Sequence, residues 1–256
     1  MTVIAVANQK GGVGKTTSTI NLAYALVKRG KRVLALDADP QASLTIYFGQ
    51  DPVDLEDREQ TFYFSLIKDK PLPSLVIEGN PALIPSSILL SKADSELMSM
   101  MSYSATLLRQ KMQGLAEQYD FVLIDCPPTL TLLTANALAA ADMVLIPVKT
   151  DYLSIRGVPL ILETIETLRV KANKDLEVLG VLPTIFNSRY TRDNEALEAL
   201  KATLERRRIP VFDPIPRSTQ YDTAASEGKP TLELTPHAPG VEAYYKLADE
   251  ILNHAS

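Results

Sequence analysis

The chain has 256 residues, 46% hydrophobic and 22% charged, enough for one large domain with a substantial core. A formal net charge of −5 excludes bulk attraction to nucleic acid, so any such contact needs a local basic patch. One cysteine, Cys126, excludes an intrachain disulfide and fits a reducing cytoplasm; there is no signal-peptide pattern and no apolar run near the ~20 residues that span a bilayer.

In chain order, residues 3–7 are short and β-branched and predict a buried strand, with a glycine loop behind it. Residues 16–29 read as a helix stopped by Gly30, since glycine takes the left-handed helix-ending conformation most readily. Residues 32–37, 121–125 and 143–147 are further strands, with an apolar helix near 129–140. Val158, Ile161, Leu162, Ile165 and Leu168 recur at helical spacing. A strand at 178–186, a helix at 192–207, a strand at 211–215 and a helix at 240–253 complete the pattern. Strands buried on both faces and separated by helices predict an α/β fold, a doubly wound, mainly parallel sheet flanked by helices. Residues 1–256 read as a single domain. Within it 49–100 is expected as a variable surface excursion, broken up by Pro52, Pro71, Pro73 and Pro81.

The segment Lys10-Gly11-Gly12-Val13-Gly14-Lys15-Thr16-Thr17 lies between a strand and a helix. The conventional phosphate loop, G-x-x-x-x-G-K-[ST], would need glycine at position 9, which is Gln9. Three glycines still let backbone amides curl around an anion, and the helix starting near Lys15 directs its free amides at the same point. Lys15 would reach the β- and γ-phosphates, and Thr16 would give its hydroxyl to Mg²⁺. The bland alternative is a glycine-rich turn with a solvated lysine. Farther on, an apolar strand ending in Asp125 has the form that delivers one carboxylate to a Mg²⁺ shell, through water. Cys126 beside it reads as a small buried filler.

Lys10 ahead of the glycines resembles the signature lysine of the ParA/MinD family of deviant-Walker ATPases. The resemblance covers nearly all of residues 2–252, with 49–100 the loosest part. It implies ATP and Mg²⁺ as ligands and a homodimer when ATP is bound. In that dimer two subunits enclose two ATP molecules, and Lys10 reaches the partner's phosphates. Cations between two facing polyphosphates offset their repulsion. Asp39, within Asp37-Ala38-Asp39-Pro40-Gln41, matches the aspartate that orients the attacking water; otherwise it is a strand-end carboxylate capping the next helix. Lys10, Lys15 and Asp39 are thus the implied catalytic set, and Thr16 and Asp125 the metal set. The Asp125-Cys126-Pro127-Pro128 turn is the implied switch element. Asn187, Pro216 and Arg217 match two adenine-side loops.

Among the family's members the reading favours a ParA-type partition ATPase. It implies a dimer that binds double-stranded DNA without sequence preference and a ParB-like adaptor that stimulates hydrolysis. Such a protein is cytoplasmic and nucleoid-associated in its ATP state. The alternatives are a MinD-like membrane ATPase and a cargo-positioning relative outside DNA segregation. Residues 244–256 carry one lysine and two acids, the reverse of what anionic lipid requires, so no membrane partner is expected. A shared iron–sulfur cluster would need two cysteines per subunit, and a non-switching ligase on this fold would not need Lys10. The chain starts directly at its first strand, leaving no room for an N-terminal helix-turn-helix. Arg189 matches a DNA-contacting position, but Gln220 replaces a second arginine of that footprint. Arg206, Arg207 and Arg208 either compensate or complement the dipole at a helix C-terminus.

Overall fold

The computed structural model describes residues 1–99 and 106–254. Six strands form one parallel sheet: β1 (Thr2–Val6), β2 (Val33–Asp37), β3 (Ala82–Ile84), β4 (Phe121–Asp125), β5 (Met143–Lys149) and β6 (Glu177–Thr184). Their order across the sheet is β3-β2-β4-β1-β5-β6.

Side chains alternate across a strand, and here both faces are buried. Val3 and Ala5 of β1, Val122 and Ile124 of β4, and Val144 and Ile146 of β5 enter one apolar cluster. Their neighbours Ile4, Val6, Phe121, Leu123, Met143 and Leu145 enter a second on the opposite face. The helices Leu132–Ala140 and Val158–Lys171 cover the first face. The second is covered by Lys15–Lys28 and Val241–His254, whose Leu22, Leu26, Tyr244, Leu247 and Ile251 pack together. Parallel strands covered in this way aim their carboxyl ends at one edge, where ligands sit in such sheets. Register places Asp37 directly beside Asp125 at that edge.

The C-terminal helix has its apolar face taken up by the core, with Val241, Tyr244, Leu247, Ala248 and Ile251 all buried. Arg29 Nε and Nη2 clamp its Asp249 at 2.6 and 2.7 Å. No described helix is long and apolar enough to cross a membrane. Ala255 and Ser256 of the tail lie outside the described residues.

Two expectations change. The stretch expected as a surface excursion supplies edge strand β3 and buries Phe62, Tyr63, Phe64, Leu66, Leu72 and Leu75 in the first cluster; Met100 at its end lies outside the described residues. The strand expected at 211–215 forms only isolated bridges, Val181 to Val211 and Phe186 to Pro216. Prolines at 210, 214 and 216 lack the N–H that a regular ladder uses. The segment still runs along β6: Phe212 N donates to Val181 O and Ile215 N to Pro183 O.

Candidate functional site

The glycine loop leaves β1 and enters the helix Lys15–Lys28 at the sheet's carboxyl edge. Gly12 and Gly14 have φ of 69° and 79°, the left-handed region that costs an L side chain energy. A Cβ on Gly14 would meet Thr184 Cγ2 at 3.6 Å, an ordinary contact, so the backbone conformation alone calls for glycine there. No side chain caps the helix start, so its first amides are free to bind an anion. Thr184 Oγ1, at the end of β6, donates to Val13 O at 2.8 Å and fixes the loop from behind. Lys15 is 7% exposed, and its Nζ donates to Lys10 O at 3.3 Å. Burial lowers the pKa of its ammonium, opposed by the Asp125 and Asp39 carboxylates.

Three carboxylates converge beside it. Asp125 is fully buried and accepts from Thr16 Oγ1 at 2.6 Å. Burial, then neighbouring Asp37, drives its carboxyl well above the ordinary range. Asp37 is pushed up to about 7 by burial, although Thr45 N, Thr45 Oγ1 and Asp39 N all donate to it. Asp39 accepts from Gln41 N at 2.9 Å through Oδ1. Burial also raises the Cys126 thiol, the behaviour of a filler rather than a nucleophile. The donors are all hard oxygens. Among the described residues no group of three His, Cys, Asp or Glu could hold a metal by itself. That donor set fits Mg²⁺, which keeps several waters and takes few protein ligands beside phosphate oxygens.

A cavity of about 380 Å³ opens from Gly12, Gly14 and Thr17. Ile185, Pro216, Arg217 and Tyr221 line its far side. Pro216 and Arg217 thus line the same cavity as the loop. Asn187 lies outside that lining, and its Oδ1 accepts from Arg189 N at 3.1 Å within its own turn. The turn is held by Asp193, whose Oδ2 accepts from Asn187 N and Thr150 Oγ1. Lys10 is absent from this cavity as well. Its side chain lines a separate space of about 740 Å³ with Asp151, Leu153 and Arg192.

The basic residues are scattered. Arg189 precedes the helix Thr191–Glu205 and Arg206, Arg207 and Arg208 follow it. Fifteen residues at 1.5 Å rise separate the two groups by about 22 Å. All four arginines are exposed, and none makes an ion pair among the described residues. Gln220 is exposed at the start of the helix Gln220–Ser226.

Sequence reasoning missed Thr184, Asp151 and Ser154. Only Asp151 carried a signal, a helix-capping aspartate three residues before a serine.

A strand, an uncapped glycine loop and a helix on a parallel sheet, with carboxylates at the adjacent strand ends, define a P-loop nucleotide-binding protein. A family model described as an AAA domain matches residues 1–178. The chromosome-partitioning ATPase Soj of Thermus thermophilus is 38% identical over 97% of this chain and 94% of its own length. Among solved structures, cobyrinic acid a,c-diamide synthase from Mycobacterium smegmatis with ADP and magnesium superposes with a TM-score of 0.84. It is 35% identical and matches over 100% of this chain and 96% of that one. Apo McdA from Cyanothece gives a TM-score of 0.86 at 30% identity, over 98% and 99% of the chains. The chain belongs to the ParA/MinD family of deviant-Walker ATPases, with Soj-type partition proteins among its relatives.

Proposed function

We propose that the protein is a ParA-type partition or positioning ATPase, one catalytic domain that works as an ATP-dependent dimerisation switch. The observation that carries the reading is the position of Lys10. It belongs to the glycine loop, yet its side chain faces away from the cavity into which Gly12, Gly14 and Thr17 open. A lysine so placed is poised for a second subunit's phosphates rather than its own.

The loop amides and Lys15 bind the β- and γ-phosphates of ATP. Thr16 and Asp125 would hold Mg²⁺, which would supply positive charge to neutralise the phosphates. Asp39 positions the attacking water, and its Asp37 support keeps the loop in place. Pro216 and Arg217 line the base side. Lys10 enters the partner's site on closure, and the Cys126-Pro127-Pro128 turn passes the state of the γ-phosphate to the surface. The closed dimer holds double-stranded DNA through phosphates with no base readout, at Arg189 and Arg206–Arg208. A ParB-like or cargo adaptor stimulates hydrolysis and the dimer opens. The 38% identical partition ATPase and the oxygen donor set support this reading.

DNA retention measured with ATP, ADP or no nucleotide across a salt series tests it. Salt-sensitive retention in ATP alone is expected. Equal retention in all three states removes DNA as the partner.

A further inference from the structure

Lys10 Nζ donates to Ser154 Oγ at 2.7 Å and to Asp151 Oδ1 at 3.2 Å, across 144 and 141 residues of chain. The receiving site is itself fixed. Asp151 caps the helix Tyr152–Arg156, with Oδ1 accepting from Ser154 N at 2.8 Å and from Ser154 Oγ at 2.9 Å. Lys149 Nζ stands 3.4 Å from Oδ2. Against the upward push of burial, the Ser154 donors and then Lys10 hold the Asp151 carboxyl down to about 2, so it is charged at neutral pH. The backbone of Lys10 is tethered too, its N–H donating to Asn8 Oδ1 at 3.0 Å. Only the side chain is left to move.

We infer that Asp151 and Ser154 are positioning residues for Lys10, holding its ammonium within its own subunit until a partner's phosphates take it. The inference rests on the sandwich-dimer reading and adds a competitor to it. A lysine cannot give its charge to Asp151 and to a phosphate in another subunit at once, so closing a dimer breaks this contact twice, once per subunit. The side chains of Lys10 and Asp151 are 42% and 34% exposed, so solvent screens the pair and keeps it weak enough to release. A partly exposed pair biases Lys10 by about fivefold at most. Squared over two subunits, that is roughly 25-fold in the dimer association constant. Beside the contact, Tyr152 and Leu153 are 65% and 72% exposed, so Lys10 lies at an open rim rather than in the interior.

Asp151→Asn separates this role from helix capping, because asparagine caps as well as aspartate but carries no charge. The test is sedimentation velocity with a slowly hydrolysed ATP analogue and Mg²⁺ over a protein dilution series. It compares wild type, Asp151→Asn, Ser154→Ala and Lys10→Ala. Asp151→Asn is expected to dimerise about 5- to 25-fold more tightly, and Ser154→Ala to shift the same way by less. In parallel, acylation of the Lys10 amine, read by mass spectrometry on nucleotide-free protein, should rise several-fold in Asp151→Asn. Dimerisation unchanged or weakened in both folded variants, or unchanged Lys10 reactivity, overturns the inference. Lys10→Ala that dimerises like wild type defeats the sandwich reading instead, and the acylation result still reports on the contact within one subunit.

Discussion

Thr16 Oγ1 donates to Asp125 Oδ2 at 2.6 Å, joining the first turn of the glycine-loop helix to the end of β4. Two oxygen ligands of the proposed Mg²⁺ site are thus brought together before any ion arrives, and one of them is a carboxylate buried at a cost. Asp125→Asn should therefore have opposite effects on stability and function. Replacing a buried carboxyl whose charged form burial and neighbouring Asp37 disfavour is expected to raise the melting temperature of the nucleotide-free protein, by about 1–2 kcal/mol of stability. The same change should lower nucleotide affinity in Mg²⁺ by about 10- to 100-fold while leaving the Mg²⁺-free affinity almost unchanged. A melt and two nucleotide titrations decide it; a lower melting temperature contradicts the burial argument.

Thr184 supports the loop from β6 through its bond to Val13 O. Thr184→Val keeps the shape and removes the donor, leaving a buried carbonyl unpaired at a cost of about 1–2 kcal/mol. The expected result is roughly tenfold weaker ATP binding with the fold intact, measured by titration and circular dichroism.

Arg32 and Asp120 clip the starts of β2 and β4 together, well away from the nucleotide. Arg32 N and Nη2 donate to the carboxylate at 2.8 and 2.7 Å. Hydrogen bonds from Arg32 hold the Asp120 carboxyl down to about 2. A depressed carboxyl stabilises the fold above its unfolded value of about 4, and that contribution is lost as pH falls from about 4 to about 2. Arg32 is exposed and Asp120 half-buried, so solvent screens the pair and its contribution is small. Asp120→Asn should melt a few degrees lower at pH 7 and equal wild type near pH 2, in a series of thermal melts.

The two arginine groups at opposite ends of the helix Thr191–Glu205 make separable predictions for DNA. Each phosphate contact contributes about one unit to the slope of log affinity against log salt. Arg189→Ala should reduce the slope by about one, and joint replacement of Arg206, Arg207 and Arg208 by about three. A group whose removal leaves the slope unchanged is not part of the footprint, and for the triple cluster that result assigns it to complementing the helix end.

The strands β1, β2, β4 and β5 were legible because each is an unbroken apolar run between turn signals, the mark of a strand buried on both faces. β3 was not, for it is three residues long between Pro81 and Pro85 and gains its place only by lying beside β2. The segment at 211–215 misled in the other direction, since its apolar residues suggested a ladder that its prolines prevent. At the site, Gly12, Gly14, Lys15 and Thr16 are contiguous, and contiguous motifs can be read along a chain. The partners of Lys10 and Val13 come from 144 and 171 residues away, a distance that only the folded sheet closes.

The central claim is that Lys10 acts on a second subunit, and sedimentation of the Lys10→Ala protein in saturating ATP analogue and Mg²⁺ tests it most directly. The predicted result is a monomer that still binds nucleotide with near-wild-type affinity, under conditions where the wild-type protein is a dimer. A Lys10→Ala protein that forms the dimer at wild-type concentrations would contradict the account.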